Sequence, residues 1–278
     1  MKLHLIDGTF ELFRAFYGRK DTRLAPDGTD VNAVHGVLTG TLALLEDPDV
    51  THVAAAFDTV IESFRNDLFP GYKTGEGVDP ALLAQFPIAE EALAAAGITV
   101  WGMVEFEADD AIATAAWKWM DDFDQIVLCS PDKDLMQCVV GKKIVVWDRM
   151  RDRWFDEDAV VEKFGIHPES IPDYLALVGD TADGVPGLPG WGAKSTAAVL
   201  RRYGRLEMIP DDERDWEVEV RGAAKLAQVL RENRETAFLY RTLTTLRRDV
   251  PLEETQEDLR WKGVKEPEYT ALCERLGF

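Results

Sequence analysis

Acidic side chains recur in this chain at places where they could hold a hard cation. Asp7 follows the apolar run LHLI and Asp58 follows HVAAAF. Glu107, Asp109 and Asp110 follow ITVWGMV, and Asp132 and Asp134 follow QIVLCS. Asp180 and Asp183 stand just ahead of a Gly/Pro-rich turn. Taken singly, an aspartate after a strand is a turn residue or helix cap. The stretch FEADDAIATAAW has the acidic start of an ordinary helix, where each charge is worth about 0.3–1 kcal/mol.

The elements around these residues change that reading. Runs at 3–6, 52–57, 98–104, 125–130 and 143–147 are β-rich, and helical patterns at 31–46, 81–96 and 109–120 fall between them. Strands alternating with helices imply a parallel sheet of βαβ units. All strand carboxyl ends then lie on one edge, where open α/β sheets bind ligands. Carboxylates at four consecutive strand ends are expected to converge there, and such crowding requires cations among them. EADD is therefore expected to be one side of a metal cage. Four scattered histidines and three cysteines without a CxxC pair offer no soft site, so the metal should be a hard one held by oxygen.

The 278 residues, 46% hydrophobic and 29% charged, suit one large globular domain or two modest ones. No apolar run approaches the roughly 18 residues of a membrane span, and the start MKLHLIDGTF lacks a signal-peptide h-region. The cysteine usage suits a cytoplasmic protein. A net charge of −20 argues against phosphate binding, which needs Lys and Arg. The charge is uneven, however. Val185 to Leu206 contains no acid while holding Lys194, Arg201, Arg202 and Arg205, and Arg221 to Arg248 is basic on balance. In GDTADGVPGLPGWGAKSTAAVL, residues Gly187, Gly190 and Gly192 would let backbone approach a ligand, with Lys194, Ser195 and Thr196 at a helix start. A P-loop is excluded because Ala193 separates Gly192 from Lys194. A helix–hairpin–helix grip on a phosphodiester backbone fits better. Strand signals fade after Trp154, so a boundary is expected near 170.

The chain resembles the 5′ nucleases, the family of flap endonucleases and of the amino-terminal domain of bacterial DNA polymerase I. The matching stretches are LIDGTFELFRAF, AAAFDTVIESFRNDLFPGYK, EFEADDAIATAA, SPDKDLMQC, KFGIHPESIPDYLALVGDTADGVPGLPGWGAKSTAAVL and LRRDVPLE, in that order. The resemblance implies an α/β fold: a PIN-like parallel sheet flanked by helices over 1–170, with an arch at about 70–95. A helical helix–three-turn–helix (H3TH) region over 171–278 would grip DNA. The last residues, LCERLGF, suggest a stand-alone member.

By the same resemblance, Asp7, Asp58, Glu107, Asp109 and Asp110 would surround one metal ion. Asp132, Asp134, Asp180 and Asp183 would surround a second, some through water. Arg65 and Lys73 would reach the scissile phosphate, Arg14 would lie nearby, and Tyr72 would stack on an unpaired base. The Gly187–Thr196 turn would grip duplex and hold K⁺. Two Mg²⁺ ions, replaceable by Mn²⁺, would activate water and stabilise the leaving oxygen. The expected activity is a 5′-3′ exonuclease or flap endonuclease on DNA with a free 5′ end, acting as a monomer beside a replication or repair polymerase. One departure stands out: Glu76 occupies an arch position that is basic in many relatives, and with Asp79 it makes the entrance acidic. A PIN-type ribonuclease and a non-catalytic acidic DNA-binding protein are the alternatives. A haloacid dehalogenase-type phosphatase fails because Thr9 stands two residues after Asp7, where its DxDxT motif needs aspartate.

Overall fold

The runs KLHLID, HVAAAFD and QIVLC are apolar without strict alternation, the pattern of strands covered on both faces, and nearly every residue in them is buried. The computed structural model describes residues 1–18 and 22–278. In chain order its elements begin with β1 (Lys2–Asp7), α1 (Gly8–Gly18), α2 (Asn32–Leu45), β2 (His52–Asp58) and α3 (Phe64–Leu68). Then come α4 (Pro80–Leu83), α5 (Phe86–Ala95), β3 (Thr99–Met103), α6 (Ala108–Lys118), β4 (Gln125–Cys129), β5 (Ile144–Asp148) and β6 (Arg153–Phe155). The remainder is helical: α7 (Glu157–Phe164), α8 (Ile171–Val178), α9 (Ala193–Tyr203), α10 (Ala223–Glu232), α11 (Arg234–Thr244) and α12 (Glu266–Leu276). No helix among the described residues is long and apolar enough to cross a membrane.

These elements form two compact units interleaved in sequence. One comprises Met1–Ser63, Gly75–Ser130 and Arg247–Phe278; the other comprises Phe64–Thr74 and Pro131–Leu246. The units therefore do not part at the expected boundary near 170, and the C-terminal segment returns to the first unit. Its apolar residues explain why. Leu259, Leu272 and Leu276 are buried, the Trp261 indole N–H donates to the Ala96 carbonyl at 2.9 Å, and α12 packs on α5.

In the first unit four parallel strands run in the order β3-β2-β1-β4. The chain winds one way from β1 to β3 and then returns to place β4 on the other side of β1. That reversal is the topological switch point where such sheets bind ligands. Asp7 lies beside Ala56, and Asp58 beside Met103, so both acids end their strands. Helix α6 is buried from Ala111 through Ala116, and its small side chains let it lie close to the sheet. The expected arch is shorter than 70–95. Phe86, Ala89, Ala92 and Leu93 give α5 a buried face, and it packs on α2 and β3 as a sheet-flanking helix. Gln85, also buried, accepts from Ala33 N at 3.0 Å and Val34 N at 3.2 Å, which fastens the loop before α5 to the start of α2.

In the second unit β5 and β6 form an antiparallel pair, while α8 packs on α9 and α11. The Thr244 hydroxyl donates to the Pro172 carbonyl at 3.0 Å. Arg241 pairs with Asp173 at 3.3 Å and with Glu207 at 2.6 Å, so part of the basic balance seen in 221–248 holds helices together. The loop carrying Asp180 and Asp183 is closed by reciprocal backbone hydrogen bonds of 2.8 Å between Asp180 and Val185. Gly184 has φ +73°, and a Cβ there would lie 2.3 Å from the Gly71 carbonyl oxygen. Only glycine permits this approach, which also lets Lys73 N donate to the Asp183 carbonyl at 3.0 Å. Gly184→Ala should therefore destabilise the protein by more than about 1 kcal/mol, measurable as a lower denaturant midpoint at unchanged slope.

Candidate active site

Asp7, Asp58, Glu107 and Asp110 are each held by donors from elsewhere in the first unit. Asp7 ends β1 and caps α1. Its Oδ1 accepts from Phe10 N at 2.8 Å, and its Oδ2 accepts from the Ser130 hydroxyl, also at 2.8 Å. Asp58 Oδ1 accepts from Ala108 N at 2.7 Å, tying the end of β2 to the start of α6, and Asp58 N donates to Thr9 Oγ1 at 2.7 Å. Glu107 Oε1 accepts from the Ser63 hydroxyl at 2.7 Å. Asp110 is fully buried; Oδ2 accepts from Glu107 N at 3.0 Å and Oδ1 from Arg247 N at 2.8 Å. Asp109, beside it, is half-buried. The cage expected of EADD is thus also a helix cap: Asp110 performs the role that had been set aside. The two roles are compatible, because a carboxylate has about four lone-pair positions and two amides leave others open.

The second unit gathers Asp134, Asp180 and Asp183, each offering an oxygen within 4.8 Å of the others. Asp134 begins the turn after β4, and its Oδ1 is buried without a hydrogen-bond partner. Asp180 Oδ1 accepts from Ala182 N at 3.1 Å. Asp132 is exposed, and its Oδ1 accepts from Asp134 N at 2.8 Å. Two ammonium groups stand among these acids. Lys133 Nζ lies 2.6 Å from Asp180 Oδ2 and 3.8 Å from Asp134 Oδ1. Lys73 Nζ lies 3.4 Å from Asp183 Oδ1.

Burial, followed by the charges of Asp132 and Asp183, pushes the Asp134 carboxyl well above its ordinary range. Burial alone would lower the Lys133 ammonium, but Asp134, Asp180 and Asp132 outweigh it and hold it above its usual value. Lys133 was not singled out from the sequence. The signal was present in DKD, a lysine with acids on both sides. An all-oxygen donor set with an orphaned buried oxygen, already attended by cations, fits a hard divalent ion.

Other expected site residues lie elsewhere. Arg65 is only 1% exposed; its Nε donates to the Leu243 carbonyl at 2.7 Å and Nη2 to that of Thr245 at 3.1 Å. It acts as an internal clamp on the end of α11, and a guanidinium so engaged is not available to a phosphate. Tyr72 is 4% exposed, so its ring cannot stack on a base; instead the Lys73 ammonium sits 5.8 Å from its centre. Arg14 pairs with buried Glu11 within α1, Nε to Oε2 at 3.0 Å. Asp79 caps α4 through Ala81 N at 2.8 Å, while Glu76 is exposed.

The glycine-rich turn also differs in detail. Gly187 has φ +70°, and a Cβ there would lie 2.5 Å from Gly179 N, so this glycine serves internal packing and not ligand approach. Gly190 has φ +84°. Gly192 caps α9, with the Ser195 hydroxyl donating to its carbonyl at 3.0 Å. Thr196 is fully buried, its hydroxyl without a partner, and it leaves the outward-facing set. Lys194, Arg201 and Arg205 are exposed, while Arg202 pairs with Glu217.

The fold is a parallel sheet with acids at its strand ends, followed by a helical region whose glycine-rich turn leads into the basic helix α9. The chain belongs to the 5′-3′ exonuclease family. Residues 2–165 match the family's N-terminal resolvase-like domain and residues 166–267 its C-terminal SAM fold. Over 263 residues it is 38% identical to DNA polymerase I of Mycobacterium bovis, covering 93% of this chain and 28% of that protein. Over 275 residues it is 32% identical to the 5′-3′ exonuclease of Aquifex aeolicus, covering 99% of this chain and 90% of that one. The chain thus spans less than a third of the polymerase relatives it matches. Among solved structures, the bacteriophage T5 D15 flap endonuclease, in a pseudo-enzyme–product complex with DNA and metal ions, is similar with TM-score 0.70 at 18% identity. That match covers 100% of both chains, and at such identity it shows the shared fold.

The two buried aspartates should respond oppositely to neutralisation. Asp110→Asn turns an NH₂ toward a backbone N–H and should cost about 1–3 kcal/mol. Asp134→Asn removes a charge that the metal-free protein holds at a cost and should raise its melting temperature. The folded state binds the Asp134 proton more tightly than the unfolded chain does. Metal-free stability should therefore fall as pH climbs from the ordinary carboxylate range through the raised Asp134 value. Thermal melts across that range in EDTA, with Asp134→Asn showing a flatter profile, check both statements.

Proposed function

We propose that the chain is a divalent-metal-dependent 5′-3′ deoxyribonuclease, an exonuclease or flap endonuclease acting on DNA with a free 5′ end. The observation that carries this reading is the Asp134–Asp180–Asp183 cluster with its attendant lysines, in a chain of the 5′-3′ exonuclease family. Asp132 completes that set. Asp7, Asp58, Glu107, Asp109 and Asp110 form the second proposed ligand set. Mg²⁺ is the proposed ion, with Mn²⁺ able to substitute. When bound, such ions supply a water of lowered pKa and stabilise charge on the leaving oxygen. The chain's residues do the rest. Buried Asp7, Asp58 and Glu107 are pre-oriented by the donors that hold them, so little reorganisation is needed when charge develops. Lys73, which pairs with Asp183 at 3.4 Å, would offset charge on the phosphate.

Exposed Lys194, Arg201 and Arg205 on and after α9 are the proposed grip on the duplex, with Ser195 fixing the start of that helix. A K⁺ ion in the Gly187–Thr196 turn, a polymerase partner, a cytoplasmic location and a monomeric state belong to the same proposal. Support for DNA as substrate comes from the relatives: the T5 flap endonuclease is bound to DNA in its structure.

Incubation of 5′-flap DNA with Mg²⁺ should release short products, and EDTA should abolish them. Cleavage that persists after the metal is shown to be gone would overturn the metal-dependent mechanism.

Glu76 makes a separate prediction. A carboxylate meeting a single strand repels it by roughly 2 kcal/mol at about 8 Å and an effective dielectric near 20, before screening. Glu76→Arg should lower KM for flap substrates with a smaller change in kcat, since a positioning contact acts in ground and transition states alike. A parent enzyme that tolerates molar salt and is indifferent to this substitution would contradict it.

A further inference from the structure

On the second unit, away from the acid cluster's own side chains, the β5–β6 pair and α7 enclose a cavity of about 630 Å³ lined by Pro131, Arg151, Arg153, Trp154, Phe155 and Lys163, with Asp148 and Glu162 among its further residues. This is within the range of small-ligand sites, about 300–1,000 Å³. The sequence here, WDRMRDRWF (147–155), is basic and aromatic in a chain of net charge −20. Trp154 is 48% exposed, with one face stacked on Trp147 at 4.7 Å between ring centroids and an interplanar angle of 13°.

The cations around it are unevenly compensated. Asp148 is consumed locally: it accepts from Met150 N and Arg151 N at 3.2 Å and pairs with Arg151 at 3.0 Å. Arg153 and Lys163 have no acid partner among the described residues, the same signature as Lys194, Arg201 and Arg205. The Lys163 ammonium lies 4.6 Å from the centre of the Phe155 ring and 5.1 Å from that of Phe164. Burial keeps it below its ordinary range, with Arg153 and Lys133 adding to that and the Asp148 and Asp132 charges opposing it.

A stacked tryptophan pair across two strands has a structural use, since aromatic cross-strand pairs stabilise hairpins. That use accounts for the inner face of Trp154. It does not account for an exposed outer part bordering a cavity that holds Arg153 and Lys163, neither of them in an ion pair among the described residues. Aromatic faces beside cations are the means by which proteins hold single-stranded nucleic acid, the base stacking and the phosphate paired.

We propose that this cavity binds one nucleotide of single-stranded DNA, with its base against Trp154 and its phosphate between Arg153 and Lys163. The assignment rests on the nuclease reading for its biological sense, and Pro131 directly precedes Asp132, so the bound strand would lie along the approach to the second unit's acids.

The test is binding of a fluorescein-labelled oligothymidylate and its abasic analogue to the full chain in EDTA, where no cleavage occurs. Trp154→Ala should weaken oligothymidylate binding roughly five- to hundredfold and leave the abasic strand nearly unaffected. Arg153→Glu, at an exposed position, should weaken both and flatten the salt dependence. Because loss of the tryptophan stack could loosen the hairpin, the arginine variant and thermal melts keep the test independent of folding. Parental affinity for both strands in both variants would overturn the assignment. Flap cleavage with Mg²⁺ is measured alongside. Absence of cleavage defeats the nuclease reading, whereas parental cleavage with unchanged oligothymidylate binding defeats only the cavity.

Discussion

Like charges held close together oppose folding unless something of opposite sign or dipole meets them, and in this protein that requirement shapes the local structure around every acid of interest. Asp7 is met by a helix amide and a serine hydroxyl, Asp58 by the first amide of α6, and Asp110 by two backbone amides. Around Asp134 and Asp180 the Lys133 ammonium adds to the Ala182 amide that Asp180 accepts. The strand ends, helix starts and loop closures can be understood as the means of delivering those donors. The arrangement resolves the tension between building a strongly negative site and keeping the protein folded without cations.

The two units solve this in different ways, with different consequences. In the first unit Asp7, Asp58, Glu107 and Asp110 accept from backbone amides and hydroxyls, which orients them. In the second unit Asp134 keeps an unsatisfied buried oxygen and an elevated carboxyl, and lysines stand in as resident cations. Ammonium groups on side chains could give way to a bound ion, whereas backbone amides cannot leave the acids they cap. The second unit is therefore where ion binding should couple most strongly to stability.

The basic residues divide in a parallel way. Arg65, Arg234 and Arg241 look on paper like nucleic-acid contacts, yet they spend their donors on carbonyls and carboxylates of their own unit. A planar guanidinium with five N–H groups is well suited to bracing helix ends. Among the described residues, exposed cations outside ion pairs lie on and after α9 and around the β5–β6 cavity, and also at Arg221, Lys225 and Arg231 on and before α10. In a chain of net charge −20, cations without acid partners are more informative than their total number.

What the sequence by itself determined was local and periodic. Apolar runs gave the strands, their spacing gave the intervening helices, and the position of each acid just after a run placed it at a carboxyl edge. The family resemblance implied which acids would act together. Tertiary structure decided what each side chain meets: Ser130 and Asp7 are 123 residues apart, Arg247 and Asp110 are 137 apart, and Arg65 and Leu243 are 178 apart. Burial of Arg65, Tyr72 and Thr196, the place of Lys133 among the acids, and the return of the C-terminal segment to the first unit all depend on such distant partners. Periodicity reports which face of an element is apolar, but not which residue from another part of the chain will lie against it.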